Sequence, residues 1–312
     1  MGRYDFIKNR KYPFIFSIAL FVFFGIMLVV NGVTLDINFR GGTRIMIECV
    51  GDVDPNAAGA LIEQEIGKKV MASITNTYSP DAGEAAVSML RLDIAGNEPL
   101  TREEEERVKE LIGENFAVKL DSNKNETVSI TPTIGRETLQ RGILAVGLSV
   151  VLILLYVAWR FSTLSGFSAG VCAIIALIHD VAVMFGVYIT MKLPLNDIFV
   201  AALLTVIGYS INDTVVIYDR IRENTELMKK SSLADIVNVS IHQSLSRSIN
   251  TMVTTLICLV VMLVYSASNN IGSLFDFSFS LLIGVISGVY STLFIAAQLW
   301  VVWKERKAVV RR

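Results

Sequence analysis

Residues 197–218 read DIFVAALLTVIGYSINDTVVIY. The stretch is long and apolar enough to cross the hydrocarbon core of a bilayer, which takes about 20 residues of helix. Yet it carries Thr205, Tyr209, Asn212 and Asp213. At spacings of i, i+4, i+7 and i+8 these four side chains fall on one face of one helix. An aspartate at mid-membrane costs about 2.5–3.5 kcal/mol on insertion scales, so its presence marks a functional position. The chain is therefore read first as a membrane protein with chemistry inside its helices.

Outward from this segment, five further runs meet or approach the same length: 14–33, 139–158, 166–190, 249–265 and 275–303. Composition agrees. Of 312 residues, 53% are hydrophobic and 18% charged, against about 25% charged in soluble domains. Collagenous, disordered and disulfide-stapled classes are excluded, and an ordinary soluble enzyme is argued against. Cys49, Cys172 and Cys258 are too few for a disulfide framework and read as small core residues. The first run exceeds a signal-peptide core and no small-x-small cleavage site follows, so it reads as a retained anchor.

Basic residues set the orientation. With the N-terminus inside, the cytoplasmic segments hold fifteen Lys and Arg, against Lys192 alone in the short outside loops. The expected layout in the plasma membrane has both termini cytoplasmic. Residues 1–33 form the N-terminus and first helix, and 34–136 an exocytoplasmic domain. Residues 137–303 hold five more helices, and 304–312 a basic tail.

The segment 34–136 differs in composition, with 18 acidic and 11 basic residues. Residues 44–50 (RIMIECV) alternate like a strand. Asp54 and Pro55 open a helix running to about Lys69. Residues 70–78 and 85–94 read as strands around a turn at 79–83, and 127–134 as a last strand. Thr101 followed by Glu104 is a capping-box pattern that starts a charged helix to about Asn115. The order β-α-β-β-α-β predicts a small α+β, ferredoxin-like domain. The run 103–106 of glutamates reads as a solvated helix start, not a metal site. No Cys/His cluster, phosphate loop or G-x-G-x-x-G is present, so no metal, cofactor or ATP hydrolysis is expected. HExxH, GxSxG and paired-aspartate protease patterns are absent too, and covalent catalysis is not expected.

The remaining membrane segments carry stripes of their own. The fifth begins with Gln243, Arg247, Asn250, Thr251 and Thr254 on one face. The sixth carries Ser280, Gly284, Ser287, Gly288 and Ser291, a pattern that serves close helix packing. The third carries Ser168, Cys172, Ala176, His179 and Asp180. Equal depth on antiparallel neighbours makes an Asp213–Arg247 pair reasonable, either as static glue or as a switch. His179 and Asp180 read equally as a hydrogen-bonded packing pair or as part of an ion path. The candidate ion-coupling residues are Asp213, Arg247, Asn212, Tyr209, Asp180 and His179.

The stretch 208–224 (GYSINDTVVIYDRIREN) resembles the fourth membrane segment of the SecD/SecF family, on its SecF side. Residues 244–249 (SLSRSI), 282–291 (LIGVISGVYS) and 39–43 (FRGGT) resemble further motifs of that family, and the layout matches over the whole chain. Asn38 stands where the family commonly has an acid. The resemblance implies a six-helix bundle of the resistance-nodulation-division superfamily, a pseudo-symmetric SecD-like partner, and work on unfolded preproteins at the SecYEG channel. It implies use of an ion gradient, of protons above all, to complete export on the outer side. By this matching, Asp213 and Arg247 fall on positions implicated in ion coupling. No nucleic-acid partner is expected. The competing readings are half of an exporter of lipids or small hydrophobic molecules from the same superfamily, and a membrane scaffold without transport.

Overall fold

The structure is a computed structural model that describes residues 4–77, 87–96, 98–164 and 166–310, with side chains to residue 306 other than those of residues 77 and 163. The turn expected at 79–83 lies outside the described residues. Helix α1, Lys11–Asn31, is the first apolar span. A one-turn helix α2, Ile37–Arg40, follows, with Asp36 as its N-cap.

The sheet domain then runs β1 (Gly42–Cys49), α3 (Pro55–Ile66), β2 (Val70–Thr77), β3 (Val87–Ala95), α4 (Arg102–Asn115), β4 (Val118–Lys119) and β5 (Glu126–Ile130). Strand order is β2-β3-β1-β4, every pair antiparallel, which is the expected ferredoxin-like order. The last strand is split. β4 pairs with the far end of β1, and β5 with its near end. The 127–134 strand expectation is corrected at both ends. Pro132 at the first helical turn makes Thr131 an N-cap, so the chain turns helical there. β4 is two residues long, too short for alternation to reveal.

Local chemistry explains the helices. Asp54 accepts from the Asn56 amide at the start of α3, and Gly67 closes that helix in the left-handed conformation. The capping box of α4 is complete: Glu104 accepts from the Thr101 N–H while Thr101 accepts from the Glu104 N–H. Hydrogen bonds from Lys68 and the Thr101 amide hold the Glu104 carboxyl below its ordinary range. Ile45, Ile47, Leu90, Leu92, Ile62, Val108 and Ile112 fill the space between sheet and helices.

The rest is helical: α5 Pro132–Arg160, α6 Gly166–Met191, α7 Asp197–Leu227, α8 Leu233–Ser268 and α9 Gly272–Ser291. A π-helical turn, Thr292–Ala296, continues α9 into α10, Ala297–Val310. With α1 these make six helices long and apolar enough to span a membrane. α7 and α8 outrun their apolar runs by many residues, because hydropathy marks only the part that meets lipid. The start of α1 and the far part of α10 lie side by side, with Arg10 paired to Glu305 at 3.3 Å.

The domain is fixed to the bundle by short links. Residues 34–36 pair with Leu195, before α7: Asp36 N–H donates to the Leu195 carbonyl and Leu195 N–H to that of Thr34, both 2.9 Å. Buried Asp36 accepts from Arg44 (3.2 Å) and Arg91 (3.0 Å), which also clasp Asp93. Two arginines thus neutralise two buried carboxylates. Burial pulls the Arg44 guanidinium down, but Asp93 and Asp36 together hold it above its ordinary value. Asn38 donates to Asp197 at 3.0 Å, a bond that an acid at this position would not make while ionised.

Gly41 and Gly42 turn the chain from α2 into β1 with φ of +89° and +142°. A Cβ on Gly42 would strike the Ile94 carbonyl across the β1–β3 pair. At Gly67, φ is +68° but the space is open. Gly67→Ala should therefore cost about 1–2 kcal/mol, the left-handed penalty alone. Gly42→Ala should exceed about 3 kcal/mol, because a backbone clash adds to the strain. Hydrogen exchange of β1 and β3 amides in the whole chain checks this. Equal protection in the two variants would show that the close approach is without consequence.

Candidate functional site

The interior face of α7 carries Ser210, Asp213, Thr214, Ile217 and Tyr218, all buried. Asp213 meets α8 at Ser248, whose hydroxyl donates to Oδ1 at 2.8 Å. Its other oxygen, Oδ2, is buried and has no partner. A buried carboxyl oxygen left bare between membrane helices is costly, and its lone pairs remain unused. The next residue, Thr214, meets Thr292 of the π-helical turn at 2.9 Å, and one turn further Tyr218 donates to the Ala296 carbonyl at 3.3 Å. π turns recur at functional sites, and this one presents a hydroxyl and a carbonyl to α7.

Arg247 is not bonded to Asp213. It sits on the exposed flank of α8 and lines a cleft of about 320 Å³ with Arg160, Asp219, Arg220, Glu223 and Gln243. The expectation of a direct pair rested on equal depth. Helical phase decides otherwise: Ser248, one residue on, points at α7, which turns Arg247 about 100° away. Gln243, Asn250, Thr251 and Thr254 are exposed beside Arg247. On α7, Thr205, Gly208 and Asn212 are exposed and Tyr209 is half-buried. The edge between interior and exterior runs between Asn212 and Asp213. Asn212, Tyr209 and Arg247 thus belong to an outward polar face, apart from the Asp213 carboxyl.

Asp180 is surrounded instead. Its carboxyl accepts from Ser210 of α7 (2.8 Å) and from Ser287 (2.7 Å) and Ser291 (2.8 Å) of α9. The His179 ring nitrogen Nδ1 lies 3.3 Å away, and Nε2 is 3.2 Å from Ser17 of α1. The stripe on the sixth segment has two uses at once. Its serines hold Asp180. Its glycines permit the approach: a Cβ on Gly284 would strike Val206, and one on Gly288 would lie 3.2 Å from Ser210. Sequence reading missed Ser17, Ser210 and Ser248. A serine in an apolar run has no signature until its partner is known. Among the described residues no three Asp, Glu, His or Cys side chains converge as a metal site.

Six spans, carboxyls buried between them and a ferredoxin-like domain after the first define a polytopic membrane protein with an ionisable core. Residues 109–306 match the family model described as protein export membrane protein SecD/SecF, C-terminal. The chain is 33% identical over 308 residues to the protein translocase subunit SecDF of Bacillus subtilis, covering 98% of this chain and 39% of that one. It is 33% identical over 312 residues to the protein translocase subunit SecF of Thermobaculum terrenum, covering 97% and 94%. The crystal structure of SecDF from Thermus thermophilus, a translocon-associated membrane protein, aligns with a TM-score of 0.78 at 30% identity, over 98% of this chain and 39% of that one. The chain belongs to the SecD/SecF family of protein-export membrane proteins. It spans about two fifths of the SecDF relatives it matches (39%) and nearly all of the SecF relative (94%).

The geometry makes a stability prediction. Removing one member of a buried ion pair costs about 3–5 kcal/mol and couples strongly to removal of the other. With no hydrogen bond between Asp213 and Arg247, only longer-range attraction links them, and Asp213→Asn with Arg247→Gln should depart from additivity by no more than about 1 kcal/mol. Thermal unfolding of the two single variants and the double variant in detergent measures this. A coupling of several kcal/mol would mean that the pair forms after all.

Proposed function

We propose that the chain is the SecF-type half of an ion-driven accessory complex of protein export. It sits in the plasma membrane with both termini cytoplasmic and the sheet domain outside. The observation that carries this is an exposed polar face on α7 and α8, where Asn212, Arg247 and Asn250 stand beside Thr205, Thr251 and Thr254, whose hydroxyls bond carbonyls of their own helices. Lipid tails cannot satisfy such a face, so a protein partner must. The SecDF relatives are more than twice as long as the match to this chain, which fits a SecD-like bundle as that partner. SecYEG and an unfolded preprotein complete the working assembly.

In this reading Asp213 is the ion-responsive group, and Arg247, Asn212 and Tyr209 form its approach from the partner side. A proton on the bare Oδ2 changes the charge between α7 and α8. The N-terminal end of α7 is the point of transmission. Its cap, Asn196, donates to Asp276 at 3.1 Å, and adjoining Leu195 is paired to the strand entering the sheet domain. A shift of α7 therefore reaches the domain through backbone. The work is mechanical, and no covalent bond of the preprotein is made or broken.

One charge crossing 100 mV supplies about 2.3 kcal/mol, so loss of the coupling charge should slow potential-driven export by up to about 50-fold. The test is export rate against membrane potential in vesicles lacking the native chain and refilled with equal amounts of variant. Asp213→Asn should insert, co-purify with a SecD-like chain, and lose the potential-dependent part of export. Potential-dependent export by Asp213→Asn at the wild-type rate would overturn the proposal.

A further inference from the structure

Asp180 lies 1% exposed in the middle of α6, and no Lys or Arg among the described residues bonds to it. Ser210 and Ser287 spend their hydroxyl hydrogens on the carboxyl, and Ser291 shares its own between the carboxyl (2.8 Å) and the Gly288 carbonyl (3.1 Å). From Asp180 a chain of contacts leads out along α1 and α9. His179 Nδ1 lies 3.3 Å from Asp180 Oδ1, His179 Nε2 lies 3.2 Å from Ser17 Oγ, and Ser17 Oγ lies 3.0 Å from the Tyr290 hydroxyl. Tyr290 in turn donates to the Pro13 carbonyl at 2.8 Å, near the end of α1 opposite the sheet domain. The free flank of the His179 ring borders a cavity of about 310 Å³ whose walls include Phe16, Leu20, Val183, Ile286, Ser287 and Tyr290.

Counting hydrogens along this chain gives a definite answer. A backbone carbonyl accepts only, so the Tyr290 hydrogen goes to Pro13. Ser17 must then donate to Tyr290, and His179 Nε2–H to Ser17. The Nδ1 contact with Asp180 remains, and no hydrogen is left for it. Neutral His179, Ser17 and Tyr290 together own three hydrogens for four contacts. We propose that His179 and Asp180 form a proton-binding site that holds one proton between Nδ1 and Oδ1, wired through Ser17 and Tyr290 to the end of α1 opposite the sheet domain. The proton resides on either atom, as imidazolium with carboxylate or as imidazole with carboxylic acid, and the pair is neutral both ways. The second argument is energetic and independent of the count. A carboxylate buried without a counter-charge is strongly disfavoured, and the bound proton removes that net charge.

The groups around the pair add no charge. α1 brings Ser17 and the Phe21 ring, α7 brings Ser210, and α9 brings Ser287, Ser291 and the titratable Tyr290. Asp213 lies one turn along α7 but is bonded to Ser248. Among the described residues no contact from α5 or α10 reaches the carboxyl. The site is a property of the bundle and stands whether or not Asp213 drives export.

The chain has two histidines, so His242→Gln leaves His179 as the single imidazole. Nitrogen NMR of that variant, as the full chain in lipid nanodiscs at neutral pH, reads both ring nitrogens. Infrared difference spectra against Asp180→Asn read the carboxyl. Two results support the site: both nitrogens protonated, or Nε2–H imidazole together with a carboxylic-acid carbonyl band that Asp180→Asn removes. Should that variant fail to fold, Ser287→Ala, which deletes one donor to the same carboxyl, should shift the band. A neutral ring protonated at Nδ1, or an Nε2–H ring with no band sensitive to either substitution, would overturn the proposal.

Discussion

A carboxyl group placed at bilayer depth must receive its hydrogen bonds from the protein, because the hydrocarbon around the bundle offers none. Much of the helix packing follows from meeting that demand at Asp180. Its donors come from α7 and α9, so both helices must pass close to α6 where the hydroxyls converge. Close passage needs small residues, which is where Gly284 and Gly288 stand, facing Val206 and Ser210. One buried acid thus dictates three serines, two glycines and the crossing point of three helices.

The same rule operates outside the bilayer with different means. Asp36 and Asp93 are buried where α1 hands over to the sheet domain, and there arginines are available. Arg44 and Arg91 project from adjacent strands and clasp both acids. The cluster is neutral as a whole, and it joins the end of the first span to β1 and β3. Asp276, at the start of α9, takes Asn196 as its partner beside the same junction. The join is therefore polar and specific, built from several charge-assisted bonds, and it leaves little freedom between domain and bundle.

What the sequence disclosed was whatever depends on period and local chemistry. Span count, the capping box of Thr101 and Glu104, and the ferredoxin-like order were all legible, because each is written in neighbouring residues. What stayed hidden depends on phase and on distance along the chain. Depth alone suggested Asp213 with Arg247, but one residue of rotation gives the contact to Ser248. Ser17 and Tyr290, 273 residues apart, have no local mark of their meeting. Strand β4 escaped because two residues cannot show alternation. Asp36 drew no reading from the sequence, yet it is a hub between bundle and domain, because Arg91, 55 residues on, and Arg44 meet it only once the strands pair.

Two acids in one bundle are thus treated in opposite ways, and the difference bears on how a helix can move. Asp180 is surrounded by donors and grips α7 at Ser210. Asp213, three residues further on the same helix, has one donor and one bare oxygen. α7 is held at Ser210, Thr214 and Tyr218 along its middle, and incompletely bonded among them at Asp213. From Ser210 back to Asp197 is thirteen residues, about 20 Å of helix, ending at the pairing of Leu195 with the entry to the sheet domain. A rigid rod held near its middle turns a change at one arm into an opposite displacement at the other. In the proposed mechanism, ion binding at Asp213 is therefore delivered to the domain as a tilt of α7 about Ser210. The Asp180 clamp must hold for this lever to work, and a pivot without net charge is the arrangement least disturbed when the charge beside it changes.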